Sequence, residues 1–410
     1  MSTHNGLVQH FRLTEQQIML RDTVRKFVKE EIVPVRAELD REPDPKKGFS
    51  WELLRKADKL GLRTLALGEE DGGVEADIIT RCVMGEEMAT GDLGFAVCLD
   101  QIWKISGAIV KLCNEEQKKR FIPMFRDDPE CVLSICITEP SGGSNYMLPM
   151  ERKETIQTRA RFENGNWLLN GSKVFISNAG LSKLYLVFAM TDPEADFYHR
   201  FSVFLVPSSS PGFSIGKTEN KMGQRLVWNS TVNFDDCTIP ASNLVGKRGD
   251  GMPGVLKFLA EEGSNIQAGA TVLGTARAAY EAAVEHAKQR FIGGKLMIHH
   301  QLTHHKLASM KMRLDAARAY LYRAALNIDD PEEETDFSMP PMAKVFAAEM
   351  AFDVAKEALE IFGAYGYMKD APMEKYFRDA ASFLHSDGVN DVLLLRAARL
   401  LYDLPAEMYQ

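Results

Sequence analysis

At 410 residues the chain exceeds what one hydrophobic core holds, which implies two or three domains. Its 45% apolar and 26% charged residues match an ordinary water-soluble globular protein. A net charge of −8, from 49 Lys and Arg against 57 Asp and Glu, argues against nucleic acid as a partner. Six cysteines, at 82, 98, 113, 131, 136 and 237, have neither CxxC nor metal-ligand spacing. They read as small buried apolar residues in a reducing compartment, with no metal site. The start, Met1-Ser-Thr-His-Asn-Gly6, has no basic segment followed by an apolar one, and no run of about 18 apolar residues occurs. The expectation is a cytoplasmic protein without stable membrane insertion.

Thr14 with Gln17 three residues on forms a capping box. Leu20, Val24, Phe27, Val28 and Ile32 follow at helical spacing, and Pro34 ends or bends that helix. Residues 51–61 predict a second helix, 69–73 (Glu-Glu-Asp-Gly-Gly) a break, and 78–89, 97–113 and 115–125 three more helices. At Ser134-Ile-Cys-Ile-Thr-Glu-Pro-Ser-Gly-Gly-Ser-Asn145 the pattern changes. A β-leaning run opens into Pro140, Gly142 and Gly143, exposing backbone N–H groups suited to holding an oxygen atom. Asn164-Gly165 and Asn170-Gly171 are hairpin-type turn signals. Short runs at 167–169, 173–177, 184–190, 201–206, 213–215 and 230–234 complete a compact antiparallel barrel or sandwich. From Gly254 the helical period returns, at 268–290, 304–327, 342–362 (after Pro340-Pro341, closed by Gly363) and 387–401. Residues 329–336 read as a solvated acidic loop. The division is therefore a helical N-terminal domain (1–130), a central β-domain (131–245) and a C-terminal helical bundle (246–410).

Several motifs, in order, resemble those of the acyl-CoA dehydrogenases. Ile137-Thr-Glu-Pro-Ser-Gly-Gly-Ser-Asn145 is similar to that family's Thr-Glu-Pro-x-(Ala/Gly)-Gly-Ser-Asp. Asn170-Gly-Ser-Lys-Val-Phe-Ile-Ser-Asn178 is similar to its Asn-Gly-x-Lys-x-(Trp/Phe)-Ile-(Thr/Ser)-Asn. Met222-Gly-Gln-Arg225, Phe234-Asp-Asp236, Pro240, Arg290 to Gln301, Ile361-Phe-Gly363 and Gly366-Tyr367 continue the match over nearly the whole chain. The resemblance implies a mainly α protein with a central β-domain and a C-terminal four-helix bundle, assembled as a homotetramer. It also implies FAD as cofactor, an acyl-CoA substrate and an electron-transferring flavoprotein as partner.

Dehydrogenating a thioester across its α–β bond needs a base, donors to the enolate-like oxygen and a hydride acceptor. The family places its base, most often Glu, just before a Gly. Aligned on Gly388 of Leu384-His-Ser-Asp-Gly-Val-Asn-Asp391, that position holds Asp387, one methylene shorter. The plainer alternative makes Asp387 a cap for the following helix. Asp100, in Val97-Cys-Leu-Asp-Gln-Ile-Trp103, aligns with the helix lining the family's acyl pocket. There an acid would bind a polar group or deprotonate a distal ring carbon; the alternative is a satisfied polar residue. Where some relatives carry Glu-Arg, this chain has Ser264-Asn265, and Glu261 and Glu262 are out of register.

For the flavin, the resemblance assigns Ile137 and Thr138 to the pyrimidine edge, Phe175 to ring stacking and Ser177 to N5. Arg290 and Gln301 would hold pyrophosphate and adenosine across a subunit interface, with Glu360, Gly363 and Val389 at the family's other flavin positions. Ser144, Asp100, Trp103, Asn265 and Gly388 are assigned to substrate. Gly293, Glu360, Val389 and Asn145 depart from the family pattern, and 146–157 contains an insertion near the CoA entrance. The function expected is dehydrogenation of an unusual, compact acyl-CoA, cyclic or polar. The competing readings are an oxidase of the nitroalkane-oxidase type, with Arg396 as the cation near Asp387, and a lyase or non-redox acyl-CoA-binding homologue.

Overall fold

A computed structural model describes residues 12–148, 156–330 and 334–404. The N-terminal helices are α1 (Glu15–Phe27), α2 (Val33–Arg41), α3 (Trp51–Lys59), α4 (Ile78–Gly91), α5 (Leu93–Leu112) and α6 (Glu115–Arg126). Thr14 caps α1 with both bonds of the box to Gln17. Pro34 bends the chain instead of ending it: a π-turn over Val28–Ile32 leads into α2, where Pro34 sits in the first turn and its missing N–H costs nothing. Helix α5 begins four residues earlier than expected because the Asp92 carboxylate accepts from Phe95 N–H and caps it. By length and composition α5 is apolar enough to cross a membrane, but it is buried among the other elements as a core helix.

The β-domain is built from β1 (Val132–Cys136), β2 (Arg159–Glu163), β3 (Asn166–Ser177), β4 (Ser182–Met190), β5 (Phe201–Pro207), β6 (Phe213–Thr218), β7 (Asn229–Pro240) and β8 (Leu244–Val245). Strand order is β6-β7-β3-β2-β4-β5-β8, with β1 parallel to β4 and most other pairs antiparallel. Asn164 and Gly165, both at positive φ, turn β2 into β3. Asn170-Gly171 does not turn. It forms a bulge inside β3, where Asn170 bonds Asp236 and a Cβ on Gly171 would collide with Thr158.

The C-terminal domain comprises α7 (Lys257–Glu261), α8 (Ser264–Gln289), a β9–β10 hairpin (Phe291–Ile292, Lys295–Leu296), α9 (Gln301–Asp329), α10 (Met339–Phe362), α11 (Met373–Ala381) and α12 (Asn390–Tyr402). Pro340 and Pro341 lie inside the first turn of α10, not before it. Helices α4 and α8 approach closely at Gly85 and Gly274, where a Cβ would strike Thr271 or the Glu86 carbonyl. The buried carboxylates Glu86 and Glu87 on α4 pair there with Arg318 at 2.8 Å and Arg277 at 2.7 Å. The N- and C-terminal domains meet at Lys375, whose Nζ lies 2.6 Å from Asp92 and 2.5 Å from Asp379, and Gln224 of the β-domain joins them through its N–H to Asp379. The fold is thus mainly α with a central sheet domain. All six cysteines are buried and unpaired. The N-terminal residues 1–11 and most of the 146–157 insertion lie outside the described residues, as do 331–333 of the acidic loop.

Candidate active site

Two adjoining cavities open where α5, the β-domain and the loop before α12 come together. The larger, of about 390 Å³, is lined by Thr138, Ser144, Phe175, Ser177, Gln224 and the 385–389 loop, among others. The smaller, of about 100 Å³, is lined by Lys104, Ile105, Leu256, Leu259, Asn265 and Arg396, among others. Asp387, Gln101, Tyr146, Ile135 and Ile137 border both.

The wall of the larger cavity is held by a buried ion pair. Lys173 Nζ donates to Glu139 Oε1 at 2.7 Å and to the Ile137 carbonyl at 3.1 Å, and Glu139 also accepts from the N–H of Thr158. Glu139 is therefore a structural carboxylate that fixes the 137–145 loop. Burial pulls the Lys173 ammonium below its ordinary range. Phe175 sits at a second irregularity of β3 with φ 59° and is 62% exposed, so it is no part of the β-core. A positive φ on a bulky residue is strained. Asn229 Nδ2 holds the distortion, donating to the Phe175 carbonyl at 2.8 Å and to Ser177 Oγ at 3.1 Å. An apolar ring presented to a polar-edged cavity on strained backbone fits a flat aromatic cofactor such as a flavin. Asn178 Nδ2 ties this strand end to α5 and β1 through the Cys98 and Leu133 carbonyls. Gln224, also at positive φ, is pinned by its N–H to Asp379 Oδ1 at 2.7 Å.

Asp387 and Gly388 both have positive φ, 53° and 97°, so α12 starts only at Asn390 and Asp387 does not cap it. Three side chains hold this turn. Asn265 Nδ2 donates to the Asp387 carbonyl at 3.0 Å, and Val389 N–H donates to Ser144 Oγ at 2.9 Å. The buried Lys344 donates to the carbonyls of Phe383 (2.7 Å) and Gly388 (2.9 Å) and to Asn390 Oδ1. Burial pulls Lys344 down to about 8, opposed by the nearby Asp387 charge.

Asp100 lines neither cavity. It lies 99% buried behind Lys104, whose Nζ stands 2.6 Å from Asp100 Oδ2 and 3.8 Å from Asp387 Oδ1. Burial pushes Asp100 up to about 6, against the opposing pull of Lys104. The same burial disfavours the Lys104 ammonium, but the two carboxylates outweigh it and hold Lys104 above its usual range. Trp103 lines neither cavity. Its indole N–H donates to the Leu62 carbonyl at 2.6 Å, inside the N-terminal domain. Arg396 lines the small cavity, where burial lowers it, but the cation paired with Asp387 is Lys104. Glu262 pairs with Arg81 at 2.9 Å and Glu261 lies 3.5 Å from Lys257, both away from these cavities. Lys104 and Gln101 escaped the reading of the sequence, although Asp100 and Lys104 stand one helical turn apart, the spacing of an ion pair.

A second group lies apart, at one end of the bundle. Arg290 ends α8, Gln301 begins α9, and Glu360 and Gly363 close α10, all exposed and lining neither cavity. His286 stacks on Phe362 at 4.0 Å, and Lys306 bonds Glu360 at 2.8 Å, which join the helix ends. Lys306 thereby neutralises the negative charge that Glu360 brings to this end and lowers its carboxyl. Gly363, at φ 61° and ψ −145°, adopts a conformation that side chains do not tolerate.

The models of the acyl-CoA dehydrogenase N-terminal, middle and C-terminal domains match residues 14–127, 134–237 and 249–402. An acyl-CoA dehydrogenase of Bacillus subtilis (strain 168) is 34% identical over 394 residues, 95% of this chain and 98% of its own. The butyryl-CoA dehydrogenase structure from Megasphaera elsdenii superposes with a TM-score of 0.87 at 31% identity, covering 96% of this chain and 99% of its own. A chain from the structure described as the electron transferring flavoprotein of Acidaminococcus fermentans does so at 0.88 and 31%, covering 95% and 99%. With all three domain models matched in order, the chain belongs to the acyl-CoA dehydrogenase family, oxidoreductases acting on CH–CH bonds.

Proposed function

We propose that this chain binds FAD and dehydrogenates a compact acyl-CoA thioester, with Asp387 as the base and an electron-transferring flavoprotein as acceptor. The observation that carries this is the place of Asp387, on the border of both cavities. A base there faces the α-carbon of an acyl group in the small cavity while the β-carbon faces the larger one. Bound FAD supplies the hydride acceptor. Phe175 stacks against its ring system, Thr138 and Ser177 edge it, and Arg290 and Gln301 serve the dinucleotide of a neighbouring subunit in a homotetramer. That division of labour is supported by the absence of the bundle-end group from the lining of either cavity of its own chain. Asp387 takes the α-proton, and the turn fixed by Asn265, Ser144 and Lys344 keeps its carboxylate aimed. The small cavity, polar at Gln101, Lys104, Asn265 and Arg396, favours a short, ring-shaped or polar acyl group over a long straight one.

Anaerobic titration of the FAD-loaded protein with a panel of CoA thioesters tests this. Bleaching of the flavin by small or alicyclic thioesters is expected, while bleaching only by long straight-chain ones overturns the substrate reading. Because two cations, Lys104 and Arg396, stand near the base, a nitroalkane-type oxidase is the second reading. Rapid turnover with oxygen but none with an electron-transferring flavoprotein would favour it.

A further inference from the structure

We propose that Lys104 is the positioning residue of the base, shared between Asp387 and Asp100, and that Asp100 controls its effect by holding it off Asp387. The inference rests on the reading of Asp387 as the base. Lys104 is 94% buried, and a buried ammonium is costly unless paired. It has two carboxylates within reach, at 2.6 Å and 3.8 Å, and the nearer belongs to its own helix. Coulomb attraction varies inversely with distance, so Asp100 holds the larger share. Yet neither Lys104 Nζ nor either Asp100 oxygen makes a well-aligned hydrogen bond. The pair is held by charge more than by direction, and a swing of Lys104 toward Asp387 would exchange one carboxylate for the other.

The other charged and titratable groups around the trio are committed elsewhere or set back. From α4, Arg81 is tied to Glu262 at 2.9 Å, and Cys82 is a buried thiol. From α10, Lys344 is spent on three acceptors around Gly388. Tyr146, His385 and Arg396 border the cavities from the 144–147 turn, the base loop and α12, and Arg396 makes no ion pair with Asp387. Lys104 is therefore the cation within ion-pair distance of both carboxylates. Leaning on Asp387, it stabilises the ionised carboxylate and weakens it as a base; leaning on Asp100, it leaves Asp387 free to take a proton. In the reaction the substrate α-C–H bond breaks and its proton goes to an Asp387 oxygen; the electron pair left behind becomes the α–β double bond as hydride leaves the β-carbon for the acceptor that bound FAD would supply, and Lys104 settles on Asp100 without giving up a proton.

The test is anaerobic stopped-flow reduction of the FAD-loaded enzyme from pH 5 to 9, with a thioester that the wild type turns over. Asp100→Asn hands Lys104 to Asp387, so the midpoint of the base-dependent rise should move down by about one pH unit and the plateau should fall roughly tenfold. Lys104→Met leaves two facing carboxylates, so its midpoint should move up by about as much, and Lys104→Arg should keep the wild-type direction. A merely structural role lowers flavin content or melting temperature without opposed shifts. With flavin content intact, midpoints that stay put or move the same way overturn the inference. Should Lys104→Met fail to fold, the Asp100→Asn midpoint decides alone, and one that stays or rises overturns it. A wild type that no thioester reduces sinks the dehydrogenase reading instead, and this inference with it.

Discussion

Replacing Asp387 by Asn keeps the shape of the side chain and removes its basicity. The structure limits what else changes. The Asp387 carbonyl stays bonded to Asn265, Gly388 to Lys344 and Val389 N–H to Ser144, so the positive-φ turn persists. Lys104 keeps Asp100 at 2.6 Å and is not left as an unpaired buried charge. The loss should therefore be that of a positioned base alone, about 10²–10⁴-fold in the rate of flavin reduction. That corresponds to about 3–5 kcal/mol of transition-state stabilisation. Single-turnover bleaching under anaerobic conditions reads this step free of the acceptor, and the flavin spectrum reports bound FAD. If Asp387→Asn reduces at the wild-type rate while Asp100→Asn does not, the proton goes to α5 and the assignment of Asp387 is wrong. If both are slow, with unshifted pH midpoints for Asp100→Asn, two proton sites are in use, as removing hydrogen from separated carbons of a ring requires.

Trp103→Phe should cost about 1–3 kcal/mol of stability, because the buried Leu62 carbonyl loses its donor, with KM unchanged; denaturant melts and steady-state assays check both, and a KM change with unchanged stability refutes the non-substrate placement. Phe175→Gly removes an exposed ring from a left-handed position, so the apoprotein should gain up to about 1 kcal/mol while FAD retention falls. A variant that melts lower as apoprotein and binds FAD normally contradicts the stacking role. Lys344 binds its proton less readily when folded, near 8, than unfolded, near 10.5. Its contribution to stability therefore rises with pH between those values, and the wild-type advantage over Lys344→Met in urea melts should be larger at pH 9.5 than at pH 7.5. Arg290→Ala should weaken FAD retention by about 1.5–3 kcal/mol, the worth of a charged phosphate contact, measured by flavin release on dilution.

The fold was legible where local chemistry and period agreed. Thr14 with Gln17, the Asn164-Gly165 turn and the apolar periods of α8 to α10 are signals of that kind. It was less legible where tertiary contacts decide. Asn170-Gly171 carries the same dipeptide as a turn, but its partners on β7 make it a bulge. Helix α11 was missed, and its role lies in a buried lysine between carboxylates of two domains. On α5 the error was one of facing. At about 100° per residue, Val97, Lys104 and Ile105 fall within about 60° of Gln101, whereas Trp103 falls nearly opposite and Asp100 to the side. The alignment named the helix, and the helical period, applied further, separates its cavity face from its core face.

The same reasoning accounts for Asp in a place where the family most often has Glu. A shorter acid reaches substrate only if its backbone is brought forward and kept there. Both Asp387 and Gly388 take left-handed conformations, which for a non-glycine residue cost about 1–2 kcal/mol. Such a turn relaxes unless its surroundings over-determine it. Here one bond comes from each of three separate elements: Asn265 on α8, Ser144 in the 144–147 turn and Lys344 on α10. Ser264-Asn265 stands where some relatives carry Glu-Arg, and here Asn265 braces the neighbouring loop that carries Asp387. Of the departures from the family pattern, Asn265 and Asp387 meet directly, side chain on carbonyl, whereas Val389 contributes only its backbone N–H, which a residue of any other side chain there would also supply.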